Sequence, residues 1–344
     1  MAHASEALPG GLLKEVSRSF YLTLRVLPGA IRSPIGLAYL LARTTDTIAD
    51  TELVAVEQRL EALRQLRARI QDQSTTKLEF GGLARHQGSR AEGILLEQCE
   101  ASLALLRSLP PADQQLVRAV LDTITSGQEL DLRRFAGASA TALIALNTDA
   151  ELDDYTYRVA GCVGEFWTRM CRAHLFPRAA VDDARLLAQG VRFGKGLQLV
   201  NILRDVAADL RQGRCYLPAE RLAELGLKPA ELLQPANEPR LRPLYHGYLD
   251  RAEAHLLAGW DYTNTLPFRC VRVRLACAWP ILIGCETLQL LRAGNPLDPA
   301  KRLKVSRGRV RGLLLRSVLL YPFPAAWKKL AAAGKAVARP AALP

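Results

Sequence analysis

Two stretches of an otherwise apolar, helix-forming sequence carry a row of polar groups at the same spacing. A chain that buries such helices must give those groups something to hold. From Ser33 to Asp50, residues Tyr39, Arg43, Asp46 and Asp50 fall at i, i+4, i+7 and i+11. From Gly196 to Asp209, residues Gln198, Asn201, Asp205 and Asp209 fall at i, i+3, i+7 and i+11. Both spacings put four polar groups on one helix face. The residues between them are mostly Leu, Ile, Val and Ala. A buried row of carboxylates is costly unless it is paired or holds a metal.

Helical periodicity dominates the rest of the 344 residues, with almost no alternating β-branched runs. Ser33-Pro34 reads as a helix start, with Ser as N-cap and Pro in the first turn. Leu53 to Gln71 reads as a solvated helix and residues 72–92 as a loop. Further helices are expected over 93–108, 112–135, 151–175, 180–210, 218–226, 240–265 and 271–293. No composition shift marks a boundary before about residue 308, so the expectation is an all-α, single-domain bundle over 1–308. Residues 309–344 form a basic, apolar carboxy-terminal segment. It reads either as an amphipathic helix at a membrane interface or as a terminal helix packed on the bundle.

The net charge of +12 suits an anionic partner. Nucleic acid is excluded as that partner, because no dense Lys/Arg run, aromatic platform or known binding module appears. The seven cysteines are odd in number and lack Cys-x-x-Cys spacing, which argues against disulfides and a zinc site. The first residues lack the pattern of a signal peptide, and no segment reads as a bilayer span. The expected location is cytoplasmic, with peripheral contact at the inner face of the membrane as the variant that the tail suggests.

Asp46, Asp50, Asn201, Asp205 and Asp209 offer hard oxygen donors. Such donors suit Mg2+, which keeps several waters and shares phosphate oxygens. Arg43, Arg204 and Arg214 add guanidinium forks for the same oxygens. Two such rows would hold a magnesium diphosphate and stabilise the charge on it as it departs. A dry apolar cavity would shelter the carbocation left behind. For either row alone, a salt-bridged surface helix is the competing reading. Tyr39 reads either as a group steering the reaction or as a core tyrosine with a satisfied hydroxyl. His174, His246 and His255 show no partner pattern and read as structural or surface residues.

Asn201 to Asp209, running on through Arg214-Cys215-Tyr216-Leu217-Pro218, resembles the second aspartate motif of the squalene and phytoene synthase family. Ser17-Arg18-Ser19-Phe20, Tyr39, Arg43 and Asp46 to Asp50 are similar to its amino-terminal motifs, and Tyr155 to Gly164 to its central motif. The resemblance implies an isoprenoid-synthase helical bundle with a central cavity. It also implies head-to-head condensation of two prenyl diphosphates, here farnesyl diphosphate, through a cyclopropyl diphosphate. Under it, Ser17, Arg18, Ser19, Phe20, Arg43, Gln198, Asn201, Arg204 and Arg214 are substrate contacts. Asp46, Asp50, Asn201, Asp205 and Asp209 are metal ligands, and Tyr39, Arg43, Tyr157 and the four aspartates are catalytic.

Cys277-Ala278-Trp279-Pro280 and Lys304-Val305-Ser306-Arg307 resemble squalene synthases more than phytoene synthases. The second strip implies NADPH as a cofactor, held by Lys304 and Arg307, with Arg18, Arg43 and Arg204 as further cofactor contacts. NADPH would supply the hydride that ends squalene synthesis, whereas phytoene synthesis ends by losing a proton. Three positions depart from the eukaryotic pattern. Ala49 replaces an acidic residue, Ser306 replaces a basic one, and Arg158 replaces a tyrosine. Tyr155 and Tyr157 are its neighbours, but 157 and 158 fall on different helix faces, so neither inherits that role directly. Two alternatives stay open. One is a synthase that stops at presqualene diphosphate or makes dehydrosqualene or phytoene; the other is a non-catalytic, membrane-associated assembly factor.

Overall fold

A computed structural model describes residues 10–17, 20–301 and 303–331. The all-α expectation is borne out: the described chain is built of helices and two two-residue strands. Its residues gather into two compact units, one comprising the chain up to Ala136 with Glu165–Ala179, the other Gly137–Gly164 with Ala180 onward.

The first unit holds α1 (Gly10–Ser17), α2 (Phe20–Val26), α3 (Gly29–Ala49), α4 (Val56–Ile70), α5 (Gly81–Ala84), α6 (Arg90–Glu97), α7 (Cys99–Ser108) and α8 (Pro111–Arg134). Helix α3 is its centre, packed on α8, α4, α7 and α6. Ile31, Leu37, Leu40, Leu41 and Ile48 are removed from water along it. At roughly 1.5–3 kcal/mol for each large apolar side chain buried, such a helix is held by packing rather than by propensity.

The start expected at Ser33-Pro34 is corrected, because α3 begins at Gly29 after Pro28 and keeps Pro34 inside. Pro28 already fixes the entry φ at −58°, and Arg32 donates back to the Leu27 carbonyl at 3.1 Å, closing the preceding turn. The buried Thr44 and Thr51 satisfy their hydroxyls on carbonyls four residues back. Arg59 reaches from α4 to the Ala49 carbonyl at 2.7 Å and caps the helix end.

The second unit begins with β1 (Ile144–Ala145), α9 (Asp149–Thr156) and a π-helical turn over Tyr157–Gly161. That turn runs on into α10 (Cys162–Leu175), which enters the first unit at Glu165. Helix α11 (Asp183–Arg211), β2 (Arg214–Cys215), α12 (Ala219–Glu224), α13 (Glu238–Thr265), α14 (Val271–Ala293), α15 (Arg307–Leu320) and α16 (Pro324–Lys328) complete it. Helix α11 lies mainly against α13, and α13 against α14. Side-chain caps start several helices: Thr148 for α9, Asp182 for α11 and Ser306 for α15.

Two glycine contacts decide how this unit closes. A Cβ on Gly194 of α11 would stand 2.0 Å from the Ala160 carbonyl oxygen, so only glycine lets the π-turn lie on that helix. Gly213, at φ +84°, turns the chain out of α11 so that β2 pairs in parallel with β1.

Helix α14 is long and apolar enough, by length and composition, to cross a membrane, which corrects the expectation that no segment qualifies. Two-thirds of its apolar stretch is buried within the unit, which is the signature of a core helix. The carboxy-terminal segment packs on that core. Trp279 donates to the buried Ser317 at 3.0 Å, and Trp327 stacks on Trp260 at 5.2 Å. All seven cysteines are buried thiols outside any disulfide.

Candidate functional site

In the first unit, the row on α3 is surrounded by groups from α6 and α8. Arg43 donates to Glu92 of α6, and its other terminal nitrogen stands 3.9 Å from Asp46. Gln128 of α8 donates to Asp46. The Asp46 carboxyl is half-exposed at its tip but set among protein atoms. That desolvation, reinforced by Asp50 beside it, raises its pKa to about 6, against the opposing pull of Arg43 and Gln128. Burial works against the Arg43 charge, yet Asp46 and Glu92 raise its pKa overall. Asp50 caps the carboxy-terminal end of α3 and is exposed. At Asp46, then, Arg43 and Gln128 do not fully offset burial and the neighbouring Asp50.

Tyr39 donates its hydroxyl to the Val16 carbonyl at 3.2 Å and packs against Leu12, Val16, Leu40, Ala91 and Leu95. It thus anchors the last turn of α1. Arg18 and Ser19, and the side chains of Ser17 and Phe20, lie outside the described residues.

In the second unit, the row runs along α11. Asp205 is held by Arg204 through a two-pronged ion pair, with Arg204 Nε 3.0 Å from Oδ1. Arg204, Asp205 and Asp209 line a cleft of about 450 Å³, with Asn295, Asp298 and Lys301 on its other wall. Gln198 and Asn201 lie one to two turns earlier on α11 and are not among the cleft's lining residues. Arg214 shares a smaller crevice with Asp209 and Tyr216. The segment at Asn295–Leu303 leads directly to Lys304, which is exposed, and to Arg307 at the start of α15. Ser306, the departure within that strip, serves as the N-cap, its hydroxyl accepting from the Arg309 amide at 3.2 Å.

The central motif contributes a polar network. Tyr155 stacks on Tyr216 with ring centroids 4.8 Å apart. Tyr157 carries the Lys195 ammonium 5.7 Å from its ring centre, and that ammonium reaches Asp153 at 2.7 Å. Arg251 meets the same carboxylate at 3.0 Å. Against the effect of its own burial, Asp153 is held below the usual carboxylate range by Lys195 and Arg251. Arg158 turns to Asp154 at 2.8 Å. The π-turn adds a residue to this helix, a feature frequent at functional sites.

Sequence reasoning missed Gln128, Glu92 and the wall at Asn295–Lys301. Gln128 sits in Gly127-Gln128-Glu129-Leu130-Asp131, a polar run in the middle of a helix where Gln128 and Glu129 are buried. That run was the available signal. Among the described residues, no group of three or more His, Cys, Asp or Glu is gathered closely enough to hold a metal. Each row therefore offers two carboxylates at most, which fits Mg2+, an ion commonly held by one or two carboxylates plus water and substrate phosphate.

A family model described as squalene/phytoene synthase matches residues 13–309. The bifunctional lycopene cyclase/phytoene synthase of Gibberella fujikuroi is 31% identical over 252 residues, covering 70% of this chain and 40% of that protein. The chain spans less than half the length of the bifunctional relatives that it matches. The presqualene diphosphate synthase of Rhodopseudomonas palustris is 28% identical over 315 residues, covering 88% of this chain and 93% of that protein. The solved complex of TcSQS with the ligand BPH1237 is similar with a TM-score of 0.78 at 22% identity, covering 97% of this chain and 92% of that one. At that identity the likeness is one of fold.

Proposed function

We propose, since this chain belongs to the squalene/phytoene synthase family, that it condenses two molecules of farnesyl diphosphate to presqualene diphosphate and reduces that product to squalene. Asp46 with Asp50, and Asp205 with Asp209, are the carboxylate pairs that would hold Mg2+. The metal, when bound, would stabilise the charge that gathers on departing diphosphate. The under-compensated Asp46 carboxyl supports this assignment, because a carboxyl raised by burial and by a second carboxylate favours a cation beside it. Gln128 orients Asp46, and Tyr39 holds α1 beside the Ser17-Arg18-Ser19-Phe20 motif.

The reductive ending is carried by one observation. The cleft at Asp205 and Asp209 is walled by the segment that leads into Lys304 and Arg307. Its volume lies within the range of small-molecule sites, and Arg204, Arg211, Lys301, Gln212 and Asn295 give it donors for phosphate oxygens. NADPH, held by Lys304 and Arg307, would supply the reducing equivalents for the second half-reaction. A second reading, arrest at presqualene diphosphate, is favoured by similarity along nearly the whole length of the Rhodopseudomonas palustris protein.

Incubation with farnesyl diphosphate and Mg2+, with and without NADPH, separates the two by mass spectrometry of the products. Squalene formed only with NADPH is the expected outcome. Presqualene diphosphate as the end product under both conditions supports the second reading, and a C40 product from geranylgeranyl diphosphate overturns both.

A further inference from the structure

Residues 301–344 hold eleven of the 46 Lys and Arg and none of the 34 Asp and Glu, so nearly all of the net charge of +12 is carried there. Exposed apolar side chains concentrate on the same part of the second unit. Leu315 and Leu319 of α15 and Phe323 beyond it are each 61% exposed, and Val318 is 47% exposed. Leu315, Val318 and Leu319 stand at i, i+3 and i+4, so they form one outward face, while Ser317 turns inward to Trp279. The exposed turn Pro322-Phe323-Pro324 extends that face. Phe268, 51% exposed, joins it by stacking on Tyr321 at 4.8 Å.

The face is also braced from beneath. Buried Arg274 lies 5.4 to 5.7 Å from the rings of Phe268, Tyr321 and Trp327. Trp327 Nε1 donates to Asn264 at 3.0 Å. Docking would therefore not have to order the face first. Exposed cations flank it: Arg311 and Arg316 on α15, Lys328 and Lys329 after the turn, and Arg269 and Arg272 beside Phe268. Glu286 of α14 is paired with Arg309 of α15 at 2.6 Å.

We propose that the outer face of α15, with the Pro322-Phe323-Pro324 turn and Phe268, is a preformed docking surface for an anionic phospholipid bilayer. Leu315, Leu319 and Phe323 enter the boundary between headgroups and acyl chains, and the flanking cations meet lipid phosphates. The charge decides between occupants. A second copy of this face would bring like charges together, whereas an anionic lipid surface complements them. The apolar centre of the patch also suits acyl chains better than a phosphate backbone. With α14 buried in the core, this contact lies on the membrane and does not span it. The inference stands apart from which product the enzyme makes.

Flotation of the full chain with vesicles tests it. Vesicles of phosphatidylcholine containing about one-third phosphatidylglycerol should carry at least about tenfold more protein than phosphatidylcholine alone, and high salt should abolish the difference. The double variant Leu319→Glu/Phe323→Glu should lose at least about tenfold in binding with its melting temperature unchanged. Lys328→Glu/Lys329→Glu should lose binding to the anionic vesicles. Phe323→Cys can be labelled with an environment-sensitive fluorophore, because every native thiol is buried. Its emission should shift to the blue on anionic vesicles. Three results overturn the proposal: equal flotation on both vesicle types, undiminished binding by Leu319→Glu/Phe323→Glu, or a soluble dimer that this variant dissociates while no vesicle binding is seen.

Discussion

At Asp46, packing and chemistry pull in opposite directions. Burial and Asp50 raise its pKa from 3.8 to about 6, so the folded protein holds that proton more tightly than the unfolded chain. Above pH 6 the ionised group weakens the fold, by an amount that water at its half-exposed tip reduces. Asp46→Asn should therefore keep or slightly raise the melting temperature at pH 8 without Mg2+, while turnover falls at least about a hundredfold. Mg2+ should raise the melting temperature of the wild type by more than that of the variant, which keeps only the Asp205 and Asp209 pair; thermal-shift curves with and without the ion check both. His255 works the other way. Its pKa is lowered to about 4 by burial and by Arg192, Arg251 and Lys195. The unfolded chain binds more protons between pH 6.5 and 4, so stability is full above 6.5 and declines as pH falls through that window. His255→Gln should flatten the decline in denaturant titrations. The rows containing Asp46 and Asp205 were legible because helical spacing marks a face. Gln128 and Glu92 were not, since a side chain reaching in from another helix leaves no period in the sequence.

The π-turn over Tyr157–Gly161 shows what can be read of an element and what cannot. Sequence periodicity found a helix across 151–175, but a single added residue changes no hydrophobic pattern, so the turn itself was invisible. Its seat on α11 depends on Gly194, where an added methyl would meet the Ala160 carbonyl. Gly194→Ala should destabilise the protein by about 1–3 kcal/mol, seen as a lower denaturant midpoint, because the two backbones must separate. It should also lower activity more than stability alone explains, since Tyr157 and Lys195 lie at that crossing. Long apolar elements were read well; α14 occupies the expected 271–293. Short ones were not. Helix α5 lies inside the expected loop at 72–92, because four residues are too few to show a period. Ser306, a lost cation from the viewpoint of the cofactor strip, proved to be a helix cap.

Over the whole molecule, each compact unit carries one aspartate row, and no shift of composition in the sequence announced that division. Which helices pack together depends on side-chain fit over long separations in the chain, and periodicity does not record it. The shut-away thiols offer a way to watch the two units. Burial pushes the Cys99 and Cys215 thiols up to about 12, so neither is a reactive thiolate while the protein stays folded. Cys99 and Cys171 fall in the first unit, and the other five cysteines fall in the second. Alkylation at low denaturant should therefore be slow, and intact-mass spectra will tell how the chain opens. Only unmodified and sevenfold-modified species should appear if the units open together, whereas a twofold- or fivefold-modified species would mean that one opens first. The native cysteines thus act as a built-in clock for unfolding.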